Sequence, residues 1–123
     1  MRVPAIALLA TSLAFAGAAN AQSLVDCRIE GARVQIYMVN PSGTNLACTW
    51  QCLLFDSRGV LKQSIRSIAP TVIEQYSSSI SVNASNAPDG VAFRTVSAKC
   101  KPTTDGATSE ADQQSAIEVE NHP

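Results

Sequence analysis

Hydrophobic and polar residues alternate along most of the chain between residues 24 and 101, in short runs that turn residues separate. In residues 33–40, Val34, Ile36 and Met38 occupy alternate positions. In residues 47–55, the corresponding positions hold two cysteines, a tryptophan and a leucine. Because successive side chains of a β-strand point to opposite faces, both patterns predict strands with one buried face.

Turn-forming residues interrupt this alternation at spacings typical of a small all-β domain. Asn-Pro-Ser-Gly at 40–43 and Asp-Ser-Arg-Gly at 56–59 combine residues that preset turn dihedrals with residues that tolerate positive φ. The predicted strands are residues 24–30, 33–40, 47–55, 60–68, 72–82 and 91–100, and residues 83–90 are predicted to form a loop. About six to seven short strands of this kind predict an antiparallel immunoglobulin-like sandwich.

The residues after Lys101 differ from the preceding ones in charge and in pattern. Residues 22–101 carry eight basic and five acidic side chains, whereas residues 102–123 carry five acidic side chains and no lysine or arginine. Only Ile117 and Val119 are available for burial in a candidate helix over 109–120, and isolated helices of this length are marginal in water. We therefore predict a β-sandwich domain over 22–101 and a flexible acidic tail over 102–123. No stripe of clustered basic residues indicates a nucleic-acid partner.

The N-terminal residues show the three parts of a secretory signal peptide. A basic residue, Arg2, precedes an apolar stretch that ends in Ala-Asn-Ala at positions 19–21. This pattern predicts that residues 1–21 are removed and that the mature chain begins at Gln22. The apolar stretch is too short and too rich in alanine for a permanent membrane span, and no cysteine directly follows the cleavage site. We expect a soluble protein exported to the periplasm or the extracellular space, without stable membrane insertion.

The four cysteines are expected to form structural disulfides in such an oxidising compartment. In a strand, Cys48 and Cys52 lie about 13 Å apart, whereas the Cα atoms of a disulfide lie within about 7 Å. These two residues therefore cannot pair with each other, which leaves two of the three possible pairings. If successive strands alternate in direction, Cys27 comes level with Cys52, and Cys100 lies beside Cys48. The strand directions thus favour Cys27–Cys52 and Cys48–Cys100.

Little in the sequence indicates catalysis, a metal or a cofactor. The spacing C-x-x-x-C within a strand differs from the redox motif C-x-x-C at a helix N-terminus. His122 is the only histidine and lies in the predicted tail, so neither a zinc site nor a Ser-His-Asp triad is expected. The acidic residues before the tail lie mostly at strand ends and turns, where solvated or turn-capping roles prevail: Asp26, Glu30, Asp56, Glu74 and Asp89. We expect a non-enzymatic protein without a cofactor; a thiol-redox or metal-binding protein is the less favoured alternative.

Three aromatic residues bear on binding. Trp50 lies between two cysteines on the same predicted face and is expected to pack on the disulfides in the core rather than to hold a ligand. Tyr37 and Tyr76 are candidates for exposed contact residues.

Short motifs in residues 33–82 resemble the bacterial FxLYD-like and related immunoglobulin-like domains. The shared features are a strand that ends in Asn, an aromatic-Asp pair before a Gly turn, and a Pro before the next strand. The matching positions are Asn40, Phe55, Asp56, Gly59 and Pro70. The chain departs from that pattern in its four cysteines and in Thr71, where the family usually has glycine. The resemblance implies an immunoglobulin-like fold and an exported accessory or binding role, with no catalytic residues to transfer.

The expected function is therefore that of an exported protein-interaction module, whose partner and oligomeric state are left open. Its exposed edge strands and its serine-rich residues 76–81 are candidates for adding a strand to a partner. The alternative is a secreted inhibitor or effector that inserts a loop, with residues 40–45 or 83–90 as that loop.

Overall fold

The computed structural model describes residues 24–123, without the side chains of residues 78–80. The predicted signal peptide, residues 1–21, lies outside the described residues. The described elements are, in chain order, β1 Val25–Glu30, β2 Arg33–Asn40, β3 Leu46–Asp56, β4 Leu61–Ser67, β5 Thr71–Ile73, β6 Ser77–Asn86, β7 Val91–Pro102, α1 Glu110–Ser115 and β8 Ile117–Asn121.

The strands form two antiparallel sheets that enclose one core, which confirms the predicted all-β sandwich. The first sheet has the order β1-β2-β6. In the second sheet, β7 pairs with β3 over nearly the whole length of both strands. On the other side of β3 lie β5 and β4, which pair with its first and second half, and β8 pairs with β4. Alternate residues of both sheets fill the core: Val25, Cys27, Val34, Ile36, Met38, Cys48, Trp50, Cys52, Leu54, Ile65, Ile73 and Val82.

The strands that the structure describes number eight rather than the expected six to seven, in part because the predicted strand 72–82 is two strands. Tyr76 has a φ of 55° and turns the chain between β5 and β6. These two strands pair in different sheets, β5 with β3 and β6 with β2. The predicted loop 83–90 is also too long, because residues 83–86 continue β6 along β2 despite their polar side chains.

The eighth strand comes from the predicted tail, and the expectation that residues 110–121 are flexible is wrong. Ser109 caps α1 by accepting a hydrogen bond from the Asp112 amide at 3.2 Å. β8 then pairs with β4, and Ile117 and Val119 pack against the core. The isolated segment would be marginal, but the edge of β4 supplies the backbone hydrogen bonds and the apolar contacts that the segment alone lacks.

Five strands have the neighbours of an immunoglobulin sandwich, namely β1, β2, β3, β6 and β7, whereas β5 and β8 do not. In an immunoglobulin sandwich, the first, second and fifth strands share a sheet, and the sixth strand lies between the third and the last. Here β1, β2 and β6 share a sheet, and β7 lies beside β3 as the sixth strand would. The final strand, β8, pairs with β4 at the opposite side of that sheet instead of with β7. The position of the last immunoglobulin strand, beside β7, therefore has no strand among residues 24–123.

Candidate functional site

The free side of β7 is the longest unpaired strand edge of the second sheet in the described part of the chain. Its twelve residues pair with β3 on one side only. The Cα atoms of the opposed residues Cys48 and Cys100 lie 4.1 Å apart. This short separation marks an opposed pair that exchanges no backbone hydrogen bonds, and such pairs alternate with hydrogen-bonded ones along the ladder. The N–H and C=O groups of Arg94, Val96, Ala98 and Cys100 therefore point away from β3, and we call these groups the β7 edge.

The side chains of β7 differ between its two faces. On the inner face, Val96, Ala98 and Cys100 are half-buried and pack against the core. The outer face changes in character along the strand, from an exposed aromatic residue through small hydroxyl residues to two lysines: Phe93, Thr95, Ser97, Lys99 and Lys101.

An aromatic pair lies at the first end of this outer face and a basic groove at the other. The rings of Phe55 and Phe93 stack with their centroids 5.7 Å apart, and Phe93 is 49% exposed. At the other end, Lys99 and Lys101 line a shallow groove of about 280 Å³ together with residues that carry no charge: Ala47, Thr49, Pro70 and Cys100.

The two disulfides hold β7 and β1 to the centre of the sandwich. Cys48–Cys100 joins opposed residues of β3 and β7 within one sheet, and Cys27–Cys52 joins β1 to β3 across the two sheets, with Cα atoms 6.3 Å apart. This is the pairing that the strand directions favoured. All cysteines of the described residues are in these two bridges, so the edge strand β7 is covalently fixed to the strand beside it.

A second candidate surface is formed by residues 40–45 and 74–76, which we call the loop end. Asn40 is fully buried beneath it and donates hydrogen bonds to the carbonyls of Thr44 and Ile73, at 2.8 and 3.0 Å. Tyr76 is 75% exposed, and its amide donates to the Ser42 carbonyl at 2.9 Å. A non-glycine residue with positive φ is strained, so this tight turn fixes the backbone of Tyr76 and leaves its ring exposed.

The other candidate tyrosine, Tyr37, belongs to a charged network on the outer face of β1 and β2. Its hydroxyl donates to Glu30 at 2.6 Å, which raises the pKa of Tyr37, and the Arg28 guanidinium lies 4.4 Å from its ring centroid. Arg28 and Arg94 also contact Asp26, at 3.0 and 3.4 Å. Partial burial raises the pKa of Asp26, but the hydrogen bond from Arg28, that from the following amide and the charge of Arg94 outweigh it, so that the pKa lies below its ordinary value of 3.8. The network thus links β1 to the start of β7.

The remaining acidic and basic candidates have separate roles. Asp56 caps the β3–β4 turn by accepting from the amides of Arg58 and Val60, at 2.8 and 2.9 Å, and these bonds lower its pKa. Glu74 and Asp89 are exposed in the turns before β6 and β7. Trp50 is buried in the core, as expected of a packing residue.

His122 is held beside β4, in contrast to the predicted floppy tail, yet its neighbours do not form a catalytic triad. Its Nε2 lies 3.3 Å from the Ser64 hydroxyl and 3.8 Å from a carboxylate oxygen of Glu120. A triad needs the serine on one ring nitrogen and the acid on the other, whereas here the same nitrogen faces both. Across residues 24–123, no group of three or more His, Cys, Asp or Glu side chains is placed to hold a metal ion.

The choice of candidate sites rests on the structure alone, because no family model matches the chain and neither the curated proteins nor the solved structures contain a match. The resemblance to FxLYD-like domains therefore stays a prediction. None of the helices in the described part of the chain has the length and apolar character needed to cross a membrane.

Sequence reasoning identified edge strands as candidates but missed which edge is free and which residues line it. Lys99 and Lys101 alternate on one face of a strand that contains three basic residues and no acidic one. That one-sided charge was visible in the sequence, but its position at an open edge depends on β8 pairing with β4, which no local pattern reveals.

Proposed function

We propose that this protein is an exported, non-enzymatic interaction module that binds an extended segment of a partner protein by strand addition at the β7 edge. The observation that carries the proposal is that β7 pairs on one side only, and that its unpaired side is where an immunoglobulin sandwich has its last strand. Added strands make backbone hydrogen bonds to an exposed sheet edge, which supply affinity, while alternate side chains supply specificity.

The disulfides support this role in two ways. They indicate an oxidising environment, such as the periplasm or the extracellular space. Cys48–Cys100 also ties the C-terminal part of the edge strand to β3, so the hydrogen-bonding groups of the β7 edge are arranged before a partner binds. A preorganised edge loses less conformational entropy on binding than a flexible one.

The experiment uses a proline that blocks the β7 edge without disturbing the β3 ladder. Proline is tolerated on an edge strand where the lost N–H faces solvent, so Ala98→Pro is expected to fold while it removes one outward donor. Ala98→Ser, which keeps that N–H, is the matched control. Oxidised residues 22–123 would be used to capture proteins from the exported fraction of the source cells, and the captured protein would be identified by mass spectrometry.

Strand addition predicts that the wild-type protein and Ala98→Ser retain the partner and that Ala98→Pro loses it. Amide hydrogen exchange of residues 94–100 should slow when the purified partner is added. Undiminished capture by a correctly folded Ala98→Pro variant would contradict binding at the β7 edge.

A second candidate function, an inhibitor or effector that acts through a loop, is favoured by Tyr76. Tyrosine, serine, glycine and asparagine dominate adaptable protein-binding loops, and the loop end has this composition around an exposed, strained tyrosine. Tyr76→Gly relieves the backbone strain of the positive φ and removes the ring, so the variant should fold. It should abolish binding only if the loop end is the contact surface. Ala98→Pro would then leave binding unchanged.

A further inference from the structure

We infer that the segment received by the β7 edge is acidic: it places carboxylates at two alternate positions, facing Lys99 and Lys101, and an apolar side chain facing Phe93. This inference rests on the proposed strand addition and adds the chemistry of the partner to it.

All charged residues of the edge strand β7 are basic. β7 contains Arg94, Lys99 and Lys101 and no acidic residue. Arg94 already contacts Asp26, whereas neither lysine lies within 4.0 Å of a carboxylate among residues 24–123. The groove that the lysines line on the other side of β7, over β3 and toward Pro70, contains no carboxylate of the described residues either. Within residues 24–123, Lys99 and Lys101 are therefore unpaired cations beside an open edge, where carboxylates of an added strand can reach them.

The geometry of the strand specifies where that charge must lie. Side chains directly opposite each other on adjacent strands have Cβ atoms about 5 Å apart, and those two residues apart share a face. Because Lys99 and Lys101 are two residues apart on the outer face, the complementary carboxylates lie two residues apart in the added segment. The residue between them faces inward, beside the half-buried Cys100.

The aromatic end of the strand fixes the direction and the length of the recognised segment. A segment antiparallel to β7 occupies the place of the last immunoglobulin strand and begins opposite Lys101. Since Phe93 lies six positions before Lys99 on the same face, the residue facing Phe93 follows the second carboxylate by six positions. A large apolar side chain there covers a ring that is now 49% exposed.

Lysines on an edge strand also discourage a protein from pairing with copies of itself. Protection against self-pairing requires only that the two lysines be charged. Recognition requires in addition that a segment whose carboxylates face the lysines binds better than one whose carboxylates are shifted by one residue. The two readings therefore make different predictions for peptides of equal composition.

The test measures binding of fluorescently labelled peptides to oxidised residues 22–123 by anisotropy. The first peptide is Asp-Val-Asp-Val-Ser-Val-Thr-Thr-Phe, in which both aspartates face the lysines and the phenylalanine faces Phe93. The second replaces both aspartates by asparagine. The third, Val-Asp-Val-Asp-Ser-Val-Thr-Thr-Phe, moves them by one position so that they face inward in the same pairing.

The aspartate peptide is expected to bind about fivefold to tenfold more tightly than the asparagine peptide, because two exposed ion pairs are gained. The preference should shrink as salt is added and vanish in Lys99→Gln/Lys101→Gln. In Lys99→Glu/Lys101→Glu it should invert in favour of a peptide with lysines in place of the aspartates. The shifted peptide should bind no better than the asparagine peptide.

The outcomes separate this inference from the proposed function. Equal binding of the aspartate and asparagine peptides, both lost in Ala98→Pro, would overturn the acidic partner and leave strand addition standing. Tight binding of the aspartate peptide that survives Ala98→Pro would overturn strand addition. Failure of every peptide to bind, with dimers of the chain in sedimentation that Ala98→Pro dissolves, would assign the β7 edge to a second copy and overturn the acidic partner.

Discussion

Replacing Asn40 by alanine is expected to lower the free energy of unfolding by about 3 kcal/mol. The Asn40 side chain is fully buried at the end of β2. Its amide group donates to the carbonyls of Thr44 and Ile73, at 2.8 and 3.0 Å, and its carbonyl accepts from the amide and the hydroxyl of Ser42, at 3.0 and 2.6 Å. One side chain therefore joins the loop 41–45 to the strand β5.

The magnitude depends on which hydrogen-bond partners of Asn40 become accessible to water after the substitution. The groups of Ser42 and Thr44 lie on exposed residues, so each lost bond is worth about 0.5 kcal/mol, the low end of the range for hydrogen bonds. The bond to the Ile73 carbonyl is different, because Asn40 and Ile73 are both fully buried; that carbonyl still faces Leu46 in the β3–β5 ladder, so the lost bond is worth about 1.5 kcal/mol, the upper end of the range. The one buried bond therefore contributes about as much as the three exposed bonds together.

Urea denaturation of the oxidised protein, followed by circular dichroism, measures this loss as a lower midpoint with an unchanged slope. Asn45→Ala is the graded control, because Asn45 also makes two side-chain bonds, to Asp105 and Gln75, at a half-exposed position. Its loss should be about 1 kcal/mol. A decrease for Asn40→Ala no larger than that of Asn45→Ala would refute the reasoning, since the buried carbonyl would then have little energetic weight.

Asn40→Asp adds a pH signature to the same site. One oxygen of a carboxylate in this position can still accept from Ser42, but the other faces two carbonyl acceptors and the group is buried, so its folded-state pKa should exceed its unfolded value. Stability is then present below the unfolded pKa and lost as the pH rises through the folded pKa. A stability that instead increased with pH would contradict the acceptor-rich environment.

Three further predictions test other parts of the fold. Under native conditions a small thiol reductant should open Cys48–Cys100 before Cys27–Cys52, because only Cys100 is partly exposed; alkylation and peptide mapping should label Cys48 and Cys100 first, and initial labelling of Cys27 would refute this order. Asp26 has a depressed pKa, so its contribution is present above an unfolded pKa of 3.8 and is lost as the pH falls through the folded value; Asp26→Asn should flatten the acid limb of the stability curve, and identical limbs would show that its ion pairs are not energetically significant. A Cβ at Gly43 would lie 2.6 Å from the Tyr76 hydroxyl; since that is the mobile end of an exposed ring, Gly43→Ala should displace the ring in NMR spectra yet change stability by less than about 1 kcal/mol, and a larger loss would mean that the ring cannot move.

The alternation of apolar residues was sufficient to place much of the core. Alternate residues are buried on both β2 and β3, as a period of two requires: Val34, Ile36 and Met38 on β2, and Cys48, Trp50, Cys52 and Leu54 on β3. The cysteine pairing could also be reasoned from the sequence, because strand directions alone bring Cys100 level with Cys48. Both inferences use the local geometry of single strands and the assumption that neighbours alternate in direction.

The sequence does not predict features that depend on contacts between strands or on an unusual backbone conformation. Tyr76 adopts a positive φ that glycine would normally signal, so the break between β5 and β6 left no mark in the sequence. The free β7 edge depends on which strand pairs with which, and an edge strand and a central strand can show the same alternation. The sequence places Asn40 at the end of a strand and in the turn 40–43, but it does not reveal the buried hydrogen bonds with which Asn40 organises the loop end.

Residues 102–123 show the same limit, because the pairing of β8 with β4 cannot be predicted from the segment alone. This pairing can be tested by substitution. Within 109–120 only Ile117 and Val119 are available for burial, which is too little for an independent element. However, β8 needs only to cover β4, where Val119 opposes the fully buried Ile65. Val119→Asp should therefore lower the free energy of unfolding by about 2 kcal/mol, whereas Glu120→Ser, on the exposed face of the same strand, should have almost no effect. Hydrogen exchange should show fast exchange of the β8 amides in Val119→Asp alone. If both variants matched the wild-type protein in stability and exchange, β8 would not be a stable part of the sheet, and the edge of β4 would then be open to an added strand as well as the β7 edge.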